Sequence, residues 1–199
     1  MSMITIKKGA PEARSIGELS HLDFGRPAGE LGCFLNFKPN RLREPTDAQL
    51  AILEGDGVIV PEGVTDIDAS TMICRIGAWD VQPGPDSEAV AMAEQLGTQF
   101  SAFIGADDLL RRMVEQAAER DRAALYCYGV ACAIRGRRFI NMFADPDASL
   151  FMGFADIVAA DPALKKSLAD RSPEDYAEPR KGTKIYKAAA AYLAGGGSI

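Results

Sequence analysis

Three arginines within four positions, Arg135, Arg137 and Arg138 around Gly136, form the sharpest local feature of this 199-residue chain. Guanidinium groups fork onto carboxylates and phosphates, so three of them on one turn make an anion seat or a docking point for a partner. Tyr126, Tyr128 and Asn141 lie in the same stretch of sequence. Facing a cavity, their polar tips would orient a ligand held by the arginines. A structural role competes with this: exposed arginines protect a strand end from unwanted pairing, and buried tyrosines pack with their hydroxyls bonded at the margin.

Other residue types capable of chemistry give less. His21, in Ser20-His-Leu-Asp-Phe24, is the single histidine, so any nucleophile–histidine pair would have to use it, with Asp23 or another carboxylate as orienter. No Gly-x-Ser-x-Gly elbow accompanies it. One histidine and four scattered cysteines (Cys33, Cys74, Cys127, Cys132) lack the ligand spacing of a zinc site, and no metal is expected. Asp66 with Asp68, and Asp145 with Asp147, could offer oxygen ligands, but neither pair follows the calcium-loop pattern, and helix capping accounts for the second. Phosphate-binding glycine loops are absent and the glycines at 195–197 have no helix after them, so no cofactor is expected. The cysteines read as buried, reduced thiols.

These groups need elements to position them. Residues 123–135 are apolar or aromatic up to Arg135, and after the basic tetrapeptide an apolar run resumes to Phe143. A strand buried on both faces reads as such an uninterrupted run. Gly136 can supply the positive φ of a tight turn, so the segment predicts two antiparallel strands with a basic hairpin tip. Around it, residues 3–7, 31–37, 58–60 and 71–79 predict strands, the last from the alternation of Met72, Cys74, Ile76 and Ala78. Residues 12–22 are weakly helical.

Helices are predicted from a Thr46 or Asp47 cap to Glu54, and from Asp86 or Ser87 through the stripe Met92, Leu96, Phe100 and Phe103. Gly105 ends that helix and Asp107 opens another, with Leu110, Met113, Val114, Ala117 and Ala118 inward. After the Asp145-Pro-Asp147 turn come a helix bearing Leu150, Phe151, Phe154, Ile157 and Val158, and a short one capped by Asp161 with Pro162 in its first turn. A polar loop over 172–181 precedes a last helix over 184–193. Residues 195–199 form a flexible tail.

Strands and helices interleave without steady βαβ alternation, so the expected fold is α+β: a mixed or antiparallel sheet covered by helices, one two-layer domain over residues 1–194. A chain of this size buries enough surface to need no staples. Net charge is −6. Residues 44–110 carry thirteen acids against Arg75 alone, whereas 111–138 carry seven arginines against Glu115, Glu119 and Asp121. Such an acidic chain disfavours nucleic acid as a partner. Apolar runs fall short of a membrane span and the N-terminus lacks the order of a secretory signal, so a cytoplasmic location is expected. The functional expectation is a binding or interaction protein, for a partner protein, its own copy in a homo-oligomer, or a small anionic ligand. The alternative is a cofactor-independent enzyme acting on a small anionic substrate with carboxylate, Tyr or Cys chemistry beside the arginines.

Overall fold

The computed structural model describes Thr5–Lys7 and Ala13–Ser15 and, from residue 43 to residue 196, all but residues 59, 61–63, 77–83 and 102. Two compact units divide the chain, Met1–Arg112 and Met113–Ile199. In the first, strands β1 (Thr5–Lys7) and β2 (Ala13–Ser15) pair antiparallel, Ile6 opposite Arg14. Every longer described element is a helix.

Helix α1 (Asp47–Gly55) begins at a reciprocal capping box. The Thr46 hydroxyl accepts from the Gln49 amide, and the Gln49 side chain accepts from the Thr46 amide at 2.8 Å, so two orphan donors of the first turn are satisfied. The same glutamine donates to the Asp66 carbonyl and to Ser70 Oγ, which ties α1 to α2 (Asp66–Ile76). Along α2 the buried positions are Asp68, Ala69, Met72 and Arg75, a helical spacing that appears only when two charged residues are counted inward. Helix α3 (Ser87–Gln95) starts on an Asp86 side chain that accepts from the Ala89 amide at 2.8 Å. It stops at Gly97, whose φ of 68° is left-handed. Helix α4 (Ala106–Gln116) follows, with Leu109, Met113 and Val114 buried.

In the second unit, α5 (Glu119–Arg135) is the axis. Ten consecutive residues, Ala123–Cys132, are buried on it, so it is covered on every side. Its helicity has local causes. Acids Glu119 and Asp121 occupy the first turn and Arg135 the last, matching the helix dipole. Four alanines lie along it, and only Val130 and Ile134 are β-branched. Around it pack α6 (Ala148–Ala160), α8 (Glu174–Ala177) and α9 (Lys184–Ala194), while α7 (Pro162–Ala169) bridges α6 and α9. Asp161 caps α7 through the amides of Ala163 and Leu164, and Thr183 caps α9 through that of Tyr186. Aromatic rings fill the joints: Tyr126 meets Tyr176 edge-on at 5.4 Å, and Tyr128 lies 5.4 Å from Phe151.

The expected α+β sheet domain is therefore wrong, and the chain is mostly helical. No hairpin exists at 123–143. A run buried on all sides carries no polar period, and helix and strand then look alike along the sequence. Gly136 does adopt a positive φ, 63°, but as the left-handed residue that closes α5: its amide and that of Arg137 both bond the Cys132 carbonyl. Residues 71–76 belong to a helix as well: alternation set Arg75 on the face opposite Met72, whereas the two lie three apart on α2 and are both buried. The weakly helical 12–22 contains β2 instead. The stripe running on to Phe103 overshoots α3, and a short helix, α8, interrupts the loop expected over 172–181. The strand expected at 31–37 lies outside the described residues. Among those described, no helix is long and apolar enough to cross a membrane.

Candidate functional site

The three arginines stand where α5 ends. After Gly136 the chain reverses and runs back along its own helix, where the Ile140 amide donates to the Tyr128 phenol at 3.2 Å and the Phe139 ring packs 5.0 Å from that of Tyr128. The Asn141 side chain accepts from the Phe143 amide and turns the chain again. Asp145 then accepts from the Asp147 amide, setting up the entry to α6. Both aspartates also face the arginines: Arg137 Nη2 lies 2.9 Å from Asp145 Oδ2, and Arg135 pairs with Asp147. The Asp145 carboxylate is nearly buried, whereas Arg135 and Arg137 remain about two-fifths exposed, at 39 % and 44 %. Thus the turn between α5 and α6 is stapled by two ion pairs whose cationic ends reach solvent.

An apolar residue shares this surface. Ala133 through Arg138 are all exposed, and Ile134 among them is 54 % exposed. Isolated exposed isoleucines are ordinary, but one set among arginines combines the apolar and cationic contacts that protein interfaces favour.

The six residues singled out from the sequence do not form one site. Arg135, Arg137, Arg138, Tyr128 and Asn141 gather at the α5–α6 turn. Tyr126, two residues before Tyr128, points to the other side of the helix, where its hydroxyl lies 3.4 Å from Thr183 Oγ1. There it meets a constellation the sequence reading missed. Asp175, nearly buried, sits 2.7 Å from Arg180 Nε and 3.5 Å from Arg171 Nη1, and it accepts from the Ser172 amide. The signal for it was present: Ser172-Pro-Glu-Asp175 has the spacing of a helix-start box. This carboxylate is saturated by its partners and locks the segment from Arg171 to Arg180 against α5.

The first unit holds a second buried polar chain. Asp68 Oδ2 accepts from the Thr65 amide and hydroxyl, and Oδ1 accepts from Ser101 Oγ at 2.7 Å. Ser101 Oγ in turn accepts from the Phe103 amide, and Arg75 Nη1 donates to the Phe103 carbonyl. Opposite ends of α2 thereby grip one loop. Burial pulls the Arg75 guanidinium down to about 10. The serine–carboxylate pair resembles a nucleophile dyad on paper, yet both side chains are closed off from solvent.

Thiol and phenol chemistry is suppressed in the same way. Burial pushes the Cys127 thiol up to about 12, and it raises Cys132 as well. Tyr128 and Tyr176 are raised to about 12, again mainly by burial. A thiol held protonated is a poor nucleophile. Cys74, by contrast, is exposed. Among the described residues no three His, Cys, Asp or Glu side chains are grouped to hold a metal ion. Asp66 and Asp68 serve the start of α2, and Asp145 and Asp147 serve the arginine turn. His21 and Cys33 lie outside the described residues.

Compared with known proteins, the chain matches no family model, no curated protein and no solved structure.

Proposed function

We propose that this protein works by binding, and that the end of α5 docks an acidic partner protein. The observation that carries the reading is Ile134, more than half exposed, standing among the exposed residues Arg135, Arg137 and Arg138. A small anion could use only the charges, and at Arg135 and Arg137 it would compete with Asp147 and Asp145. A protein segment bearing acids and an apolar side chain uses both halves of the surface. Arginine at the centre of such a contact is worth more than lysine, because its planar fork is prearranged and weakly hydrated. Burial works against the thiolate form of the enzyme alternative at Cys127 and Cys132.

Fluorescence anisotropy with a labelled synthetic peptide of alternating glutamate and leucine blocks tests this. The protein is expected to bind it with an affinity that falls as salt rises. Arg138→Glu and Ile134→Ser should each weaken binding about tenfold, the effect of one interface side chain worth roughly 1.4 kcal/mol. Equal binding by parent and variants, or no binding at all, overturns the reading. A thermal shift with inorganic sulfate, lost in Arg138→Glu without any peptide binding, would replace the partner protein by a small anion.

A further inference from the structure

Only two large apolar side chains among the described residues are prominently exposed, and they sit in surroundings of opposite charge. Ile134 lies among arginines. Ile52, 49 % exposed, lies on α1, in the part of the sequence richest in acid. At 100° per residue, Ala48, Ala51, Ile52 and Gly55 line up as one exposed strip along α1. Asp56 borders that strip on one side, and Asp47 and Glu54 border it on the other. The helix has no basic residue in its last turn. The face is therefore a narrow apolar ridge with an acidic rim, complementary to an isoleucine with a basic rim.

We infer that the acidic partner of the α5 end is a second copy of this chain, docking the Ile52 ridge of its α1 against Ile134 and Arg138. The inference rests on the binding reading above and names its partner. Two features favour a second copy over an unrelated acidic protein. The two patches match in size and kind, one isoleucine each. Each is also built on a capped, regular helix end, α1 on its Thr46 box and α5 on its Gly136 turn, so neither must be ordered on binding. The two faces differ, so each molecule offers one face of each kind, and every contact pairs an α1 ridge with an α5 end. Interfaces this small are of the weak, transient class, with dissociation constants of roughly 10 μM to 1 mM.

Sedimentation velocity of the full chain tests the inference. The parent's average mass should rise with concentration and fall back at high salt. Two variants break one face each: Glu54→Arg with Asp56→Arg on α1, and Ile134→Ser with Arg138→Glu at the end of α5. All four positions are exposed, and arginine near the C-terminus of α1 suits its dipole, so unchanged circular dichroism is expected. Each variant alone should remain monomeric. An equimolar mixture should form a one-to-one dimer and go no further, because it contains one intact face of each kind. A parent that is monomeric up to about 1 mM, or a mixture that stays monomeric, overturns the inference. If the glutamate–leucine peptide still binds the parent and fails on the Ile134→Ser, Arg138→Glu variant, the docking site survives and only the second copy is wrong. If the peptide fails everywhere, both fall.

Discussion

At the scale of single residues, what separates a functional group from a structural one in this chain is how many partners it already has. Arg137 and Asp145 are 2.9 Å apart, and the pair leaves the arginine half in solvent and the carboxylate almost closed off. Asp175 goes further, with Arg180 at 2.7 Å, Arg171 at 3.5 Å and the Ser172 amide on the same side chain. Removing its charge strands those donors. Asp175→Asn should cost about 2 kcal/mol, the range for a hydrogen bond to a charged group. Glu178→Gln, an exposed change at the residue that ends α8, should move stability by less than about 0.5 kcal/mol. Urea titrations of both variants check the pair, and equal midpoints would mean that Asp175 holds nothing in place. Ser172 and Asp175 could be paired from spacing alone. Their arginines could not, because Arg180 approaches from beyond α8.

At the scale of elements, the glycines of the second unit show how closely its helices approach. Gly129 faces the Tyr176 carbonyl of α8 so closely that a Cβ there would collide with backbone. Gly153 faces only the tip of Tyr192, 2.6 Å from where a Cβ would stand, and a phenol tip can swing aside. Gly136 has open space but a φ of 63°, unfavourable for any other residue. The expected order of damage on substitution by alanine follows. Gly129→Ala should cost about 2–3 kcal/mol through overpacking. Gly136→Ala should cost about 1 kcal/mol, the difference between glycine and alanine in left-handed backbone. At Gly153 the gain in helix propensity offsets the displaced phenol, and the change should be near neutral. Thermal melts of the three variants read this order directly; a neutral Gly129→Ala would unseat α8 from α5.

For the molecule as a whole, deep burial of neutral acids makes stability depend on alkaline pH. Cys127, Tyr128 and Tyr176 are raised by burial to about 12, from ordinary values of 9.0 for the thiol and 10.0 for the phenols. Between those values and about 12 the unfolded chain has released protons that the folded chain still holds. Unfolding is then linked to proton release, so stability is whole below about pH 9 and is lost as pH rises through the folded values. The urea midpoint should be level from pH 7 to 8.5 and fall steadily from pH 9 to 11, with spectroscopic titration of the phenols lagging that of the denatured chain. A midpoint flat to pH 11 would mean that these groups are reached by water.

Several element boundaries were readable from the residues alone. Thr46, Asp86 and Asp161 each start a helix where their capping chemistry says one should begin, and Pro162 sits in the first turn it suits. A cap is a contact over three residues, so three residues are enough to reveal it. The arginine group and the Asp145-Pro-Asp147 turn were also visible, each by itself, but their pairing was not. What remained open was everything decided by burial. Ala123–Cys132 carries no polar residue to mark an outer face, so its period was invisible until α6, α8 and α9 were seen to enclose it. Asp68 and Arg75 hid the period of α2 for the converse reason, being charged and inward-facing. Tyr126 and Tyr128, neighbours in sequence, parted company once the strand became a helix, because two residues turn a helix through about 200°. Local bonds write themselves into short stretches of sequence, whereas the side a residue faces depends on neighbours brought up by the rest of the chain.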